Sequence, residues 1–249
     1  MASKCRQSVL GGLFFIFLFA QPARAGVGPV FAATMSLIPG LGQMTNGAVF
    51  EGMGWFLASV VPWSSSNSDL SQIGFDIWQY NIYDAYRDAG ARPSDSHNVF
   101  ENYLGAFNLT YVIDPIGAPV VGTGAAFGYH NQYPSARKPL KIAVYGFVGL
   151  GEEGLFRGFL FPTLSDLFAS KWAGALVSSA AFSAAHAIGG KENLNASPLI
   201  QRFILGMLFS WQVDRNNYDL RKSIFAHAWY DILVDSGSEI RGLAIHLPF

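Results

Sequence analysis

Four apolar segments crowd the C-terminal half of the chain: Leu140–Phe168, Trp172–Ile188, Leu199–Val213 and Ile224–Val234. The first two are continuous rather than alternating, so they predict helices and not the ten-residue alternating strands of a membrane barrel, despite the alternating Leu243, Ile245 and Leu247 before Phe249. Shorter apolar stretches precede them at Ala48–Trp63, Tyr103–Ile113 and Ile116–Tyr129. Several fall below the ~20 residues that a bilayer crossing needs, which leaves the number of spans open. The fold class expected is all-α, a polytopic transmembrane helical bundle.

Between these runs lie breakers. Ser36-Leu37-Ile38-Pro39-Gly40-Leu41-Gly42-Gln43 interrupts an apolar stretch with Pro and two glycines, which predicts a hairpin-like turn. Polar loops are expected at Ser64–Ser71 and Asp88–Ser96. From Gly74 to Arg87, Phe75, Ile77, Trp78, Ile82 and Tyr86 alternate with polar positions as in a helix lying on the membrane surface. At the N-terminus, Lys4 and Arg6 precede the apolar run Val9–Ala20, and Ala23-Arg24-Ala25 offers a small-x-small cleavage site, so residues 1–25 are expected to be an export signal; an uncleaved first transmembrane helix is the alternative. Residues 26–96 then form a hairpin with its interfacial helix, and residues 97–249 the main domain.

Composition points the same way. Charged residues make up 13% of the chain, against roughly 25% in soluble domains. Hydrophobic residues reach 51%, with 21 phenylalanines, more apolar surface than a small soluble core hides. A net charge of -1 with no basic block excludes a nucleic-acid partner. The single cysteine, Cys5, leaves neither a disulfide framework nor a thiolate metal site in the body of the protein, so any metal must use His and carboxylate. Lys and Arg around the four C-terminal segments fall on both sides, and membrane orientation stays undetermined.

Against this background, ionisable groups inside apolar segments are conspicuous. Glu152, Glu153 and Arg157 interrupt Leu140–Phe168. Charges at mid-bilayer cost on the order of 2.5–3.5 kcal/mol each, so they face a bundle interior or a wet cavity. Glu153 and Arg157 stand four apart and can pair, whereas Glu152 points about 100° away. His186 ends the next segment on the same helical face as Phe182, behind a run of small residues that permits close helix packing. His227 and Asp231 share a face of the last segment. Each cluster alone has a structural reading: an ion pair with a spare carboxylate, a histidine bonded to a neighbouring helix, a local Asp bond. Together, three successive clusters offer two imidazoles and several carboxylates without cysteine, a donor set that suits Zn²⁺ with an open water position. His97, His130 and His246 lie in expected loops or at segment ends and are read as unremarkable.

The three clusters resemble, in order, the motifs of the CPBP family of intramembrane proteases, the CAAX prenyl protease and bacteriocin-processing type: EExxxR as Glu152, Glu153 and Arg157, FxxxH as Phe182 and His186, and HxxxN as His227 with Asp231 in the place of the Asn. The resemblance covers about Tyr103–Val234. It implies hydrolysis of peptide bonds in membrane-associated protein or peptide substrates, with Glu152 as general base, Glu153 and Arg157 as a pair, and His186 and His227 holding a divalent metal, Zn²⁺ by preference. The two glutamates could exchange roles, and Asp231 either ligates the ion or orients His227. It further implies an integral protein of the bacterial inner membrane, in contact with lipid. The N-terminal Pro39-Gly40-Leu41-Gly42-Gln43 stretch with Tyr80-Asn81-Ile82-Tyr83-Asp84-Ala85-Tyr86-Arg87 resembles a membrane hairpin of small bacterial membrane proteins, whose function is obscure. The competing reading is a non-catalytic scaffold or immunity-type binding protein on the same bundle; substrate identity and oligomeric state are not encoded legibly.

Overall fold

The computed structural model describes residues 28–130, 139–187 and 196–235, and all its regular structure there is helical. The expected export signal at residues 1–25, His246 and the C-terminal tail lie outside the described residues. Helices α1 (Pro29–Met35), α2 (Leu41–Thr45) and α3 (Val49–Trp63) lead into α4 (Ser68–Asp88); α5 (Val99–Gly105) and a 3-10 turn (Leu109–Ile113) precede α6 (Gly117–His130). A continuous helical run follows, made of α7 (Pro139–Glu153), a π segment (Gly154–Leu160) and α8 (Phe161–Leu167). It is succeeded by α9 (Lys171–Ala187), α10 (Ala196–Arg215) and α11 (Arg221–Asp235).

The expected interfacial helix is corrected by the structure. α4 begins at Asn67, whose side-chain oxygen accepts from the Asp69 and Leu70 amides, as an N-cap should. Its second half does not lie on a surface: Gln79 to Tyr86 is buried without a break. One side of α4 packs on α1 and α3, the other on α7 and the π segment. The alternation of apolar and polar residues misled because the polar ones are spent inside the protein. The Gly40 amide donates to Asn81 Oδ1 at 2.9 Å, Asn81 Nδ2 to Gln43 Oε1 at 2.8 Å, and Gln43 Nε2 to Asp84 Oδ2 at 3.2 Å. Gly40 has a φ of 78° and a Cβ there would sit 1.9 Å from the Gly52 carbonyl oxygen, so the turn requires glycine. The two N-terminal motifs are therefore the two halves of one buried hydrogen-bond network.

No helix among the described residues is by itself long and apolar enough to cross a membrane. The longest apolar run of the sequence owes this to its own chemistry: it changes helix type at Gly154 and carries Glu152, Glu153 and Arg157 at its middle. The π segment is pinned from α9, where Ser178 Oγ donates to the Phe156 carbonyl at 2.7 Å while the Phe161 amide donates to the same oxygen from within the run. A side chain inserted into the helix ladder is a recognised cause of such a local change, and π turns concentrate at functional sites. The small residues of α9 permit the expected close packing. A Cβ at Gly174 would lie 2.2 Å from Ser165 Oγ of α8, and one at Gly206 of α10 would lie 2.8 Å from Ser179 Cβ.

Asp114, between the 3-10 turn and α6, ties three elements together. Its Oδ1 accepts from the Ile116 and Gly117 amides and from Gln212 Nε2 of α10, and its Oδ2 lies 3.1 Å from Lys222 Nζ of α11. Burial alone would raise its pKa, but these donors outweigh burial and hold it below the ordinary carboxylate value. A carboxylate depressed by folding contributes stability above its unfolded pKa of roughly 3.9, and that contribution disappears as pH falls through the lower folded value. Asp114→Asn is therefore expected to cost about 1.5–3 kcal/mol near neutral pH. The cost should shrink in acid below about pH 4, and denaturant titrations of both proteins at pH 7 and pH 3 check it. A cost independent of pH would exclude the charged form as the stabilising species.

Candidate active site

Three helices bring the expected residues to one place. Glu152 and Glu153 end α7, Arg157 lies in the π segment, His186 in the last turn of α9, and His227 and Asp231 on one face of α11. Glu153 and Arg157 are fully buried, and Glu152 and His227 are buried as well.

Glu153 is the organiser. Its Oε1 accepts from Arg157 Nη1 at 3.1 Å and from His227 Nδ1 at 2.8 Å. The first of these is the i, i+4 pair expected from spacing; the second spans 74 positions in the chain. Because a carboxylate facing a guanidinium can only accept, the proton of a neutral His227 ring resides on Nδ1, with the lone pair on Nε2. His186 repeats the pattern: its Nδ1 faces the Phe182 carbonyl at 2.8 Å, which also can only accept, so the neutral ring carries its lone pair on Nε2.

Both bare nitrogens point to the same atom. Glu152 Oε2 lies 3.6 Å from His186 Nε2 and 3.5 Å from His227 Nε2, beyond hydrogen-bond reach, and has no hydrogen bond of its own. Asp231 Oδ2 is 3.5 Å from His227 Nε2. Since Glu153 already fixes the opposite ring nitrogen, Asp231 sits on the ligand side of His227 and not on its orienting side.

Aromatic rings hold the imidazoles in position. Phe182 meets His186 edge-on at 4.7 Å and His227 at 5.8 Å, and Phe209 of α10 stacks on His227 at 5.3 Å with rings 15° apart. The Arg157 guanidinium lies 4.3 Å from the centre of the Phe182 ring and 5.2 Å from that of Phe209. With the Phe156 ring 5.9 Å away as well, the charge at Arg157 rests between one bonded carboxylate and three aromatic rings.

Sequence reasoning missed Phe209, Arg202 and Asp76. Arg202 of α10 acts electrostatically on Glu152, Tyr230 and Asp231, and its Nη1 is buried without a hydrogen-bond partner. Asp76 of α4 is fully buried and acted on by Glu152 and Asp231. Nothing in the spacing could reveal Phe209 or Asp76, because each arrives from a helix remote in sequence; Arg202 could have been found as Glu152 was, as an ionisable group within an apolar segment.

The donor types, though not their spacing here, are those of a divalent-cation site. Two imidazoles with protons fixed on Nδ1 present their free nitrogens beside carboxylates, the arrangement in which a second-sphere acceptor orients a metal-binding histidine. The atoms are not drawn as tightly together as in two other clusters. Among the described residues, Asp95, His97 and Asp219, and likewise Glu51, Asp84 and Asp88, have ligand atoms within 4.8 Å of one another. Those clusters are engaged otherwise: Arg221 binds Asp219, Arg87 binds Asp84 and Asp88, and His97 Nδ1 bonds Asp95 at 2.6 Å. His97, read as unremarkable, accordingly serves to fasten the loop before α5; the side chain of His130 lies outside the description.

Residues 137–233 match the family model described as type II CAAX prenyl endopeptidase Rce1-like, a stretch that contains all six site residues. No curated protein and no solved structure matches the chain.

Proposed function

We propose that this chain, whose membership of the CPBP family the match over residues 137–233 supports, is an intramembrane, metal-dependent endopeptidase acting on membrane-associated proteins or peptides. The observation that carries the reading is the convergence of His186 Nε2 and His227 Nε2 on Glu152 Oε2 at 3.6 and 3.5 Å. An inert bundle has no need to bury an unbonded carboxylate oxygen against two bare imidazole nitrogens, since each unpaired buried polar group costs stability.

His186 and His227 would hold the cation, with Asp231 available beside His227. A divalent cation bound there would polarise the scissile carbonyl and acidify water. Glu152 Oε2 takes a proton from the attacking water and delivers it to the departing amine. Glu153 keeps the His227 proton on Nδ1 through both steps, and Arg157 holds Glu153 in place. Phe182 and Phe209 fix the ring planes and exclude bulk water.

Membrane embedding is supported by what the bundle leaves uncovered. The outward stripe of α3 is apolar, with Val49, Phe50, Met53, Phe56, Leu57 and Val61 all exposed, and Trp172 of α9 is 75% exposed. Water-facing monomers rarely carry such contiguous apolar surface. Acyl chains would solvate it.

The test uses the full chain in liposomes with lipid-anchored peptides. Hydrolysis is expected, with loss under excess chelator and recovery on adding Zn²⁺. Hydrolysis that survives verified metal removal would refute the metal assignment. A protein that binds Zn²⁺ yet cleaves nothing across lipid-anchored and transmembrane peptides would refute the enzymatic one.

A further inference from the structure

A cavity of about 200 Å³ opens where the 3-10 turn leads into α6, α10 ends and α11 begins. Asp114, Ile116, Trp211, Arg215 and Lys222 are among its walls, and none of the six site residues lines it. By the same measure a single water needs roughly 10–15 Å³, so the space takes a group of headgroup size and not a lone ion.

Two cations and one anion face this space. Lys222 Nζ lies 3.1 Å from Asp114 Oδ2, a contact that uses one of its three N–H donors. Asp114 Oδ1 is spent on the Ile116 and Gly117 amides and on Gln212. Arg215 makes no ion pair among the described residues: Asp214 beside it is held by Lys171 at 2.6 Å, and its guanidinium lies 5.3 Å from the centre of the Trp211 ring. One positive charge is therefore left over, carried by a guanidinium fork that matches the oxygens of a phosphate.

The same end of the bundle has the marks of a lipid boundary. Trp211 is half-exposed, Trp172 is more exposed still, and the Lys171–Asp214 bond sets the start of α9 beside the end of α10. Tryptophans and basic side chains gather at the level of lipid headgroups, where basic pockets between helices hold anionic ones. A site for a free anion would have no use for exposed indoles beside it. We infer that this cavity binds the phosphodiester headgroup of an anionic phospholipid, with Arg215 and Lys222 on the phosphate oxygens and Trp211 beside the glycerol. Lipid held there braces the end of α10 against the start of α11, the helix that carries His227. The inference rests on the membrane embedding argued above, and neither on metal nor on hydrolysis.

The experiment titrates the purified full chain in nonionic detergent with short-chain phosphatidylglycerol and, separately, with phosphatidylcholine of the same acyl length, counting bound lipid by native mass spectrometry. Wild type, Arg215→Gln, Lys222→Gln and Lys141→Gln are compared, the last removing an exposed charge outside the cavity. One phosphatidylglycerol should bind per chain, about fivefold more tightly than phosphatidylcholine, and Arg215→Gln and Lys222→Gln should each weaken it about fivefold, the effect of one cation near a headgroup. Lys141→Gln should leave it unchanged. Lys222→Gln deprives Asp114 of its cation, so Arg215→Gln, which has no ion pair to lose, decides the matter if the former unfolds. Affinity equal to wild type in Arg215→Gln, an equal loss in Lys141→Gln, or phosphatidylcholine bound as tightly as phosphatidylglycerol overturns the inference. Displacement of the lipid by millimolar inorganic phosphate overturns it in favour of a free-anion site. A chain that stays monodisperse without detergent would instead defeat the membrane embedding.

Discussion

Glu152→Gln is expected to lower kcat/KM for a membrane-bound peptide by about 10²–10⁴-fold, the usual contribution of a general base. The substitution keeps the size of the side chain and removes only the ability to take a proton at Oε2, the atom that faces both imidazole nitrogens. Glu153 cannot substitute for it: its Oε1 is already shared between Arg157 and His227, which fixes its position and turns it away from the substrate side. Hydrogen bonding, and not sequence order, therefore favours Glu152 over Glu153 as the proposed base. Folding should survive, because Glu152 Oε2 has no hydrogen bond to lose and the Gln variant buries one charge fewer. Steady-state kinetics in liposomes, with thermal unfolding alongside, make the comparison. A folded Glu152→Gln protein that retains a substantial fraction of wild-type kcat/KM would remove Glu152 from the reaction.

The helices and the three clusters were legible because each is a local pattern. Continuous apolar runs predicted helices, and i, i+4 spacing predicted the Glu153–Arg157 pair that the structure contains. What spacing reports is which side chains share a face; it is silent on which helix that face meets. Hence the bond from Glu153 to His227, the stack of Phe209 on His227 and the approach of Asp76 to Gly151 were hidden, all of them meetings of distant segments. The π turn was hidden for the same reason, since the Ser178 hydroxyl that pins it belongs to another helix. α4 was misjudged more instructively. Its amphipathic pattern is real, but Asn81 and Asp84 answer to Gly40 and Gln43 and not to water. A polar stripe records the need for hydrogen bonds without saying who provides them.

Glu153→Gln should produce the largest loss of stability of any single change at the site, about 3–5 kcal/mol, the cost of leaving one partner of a buried ion pair uncompensated. Arg157 has no exposed surface, and its Nε and Nη2 already lack hydrogen bonds, so only the Phe156, Phe182 and Phe209 rings and the more distant Glu152 would remain to hold its charge. Those faces offset the loss by about 0.5–2 kcal/mol at most. Adding Arg157→Met to Glu153→Leu should restore much of the stability, because a buried pair replaced by apolar groups of similar volume is often neutral. Activity should not return with it. The double variant still lacks the acceptor that keeps the His227 proton on Nδ1, so Nε2 loses its fixed lone pair and orientation. Stability and catalysis thus separate in one double-mutant cycle, read by denaturant unfolding and by peptide hydrolysis. Recovery of both together would mean that Glu153 serves only to neutralise Arg157, and a Glu153→Gln cost below about 1 kcal/mol would mean that the pair is far more solvated than its full burial in the protein requires.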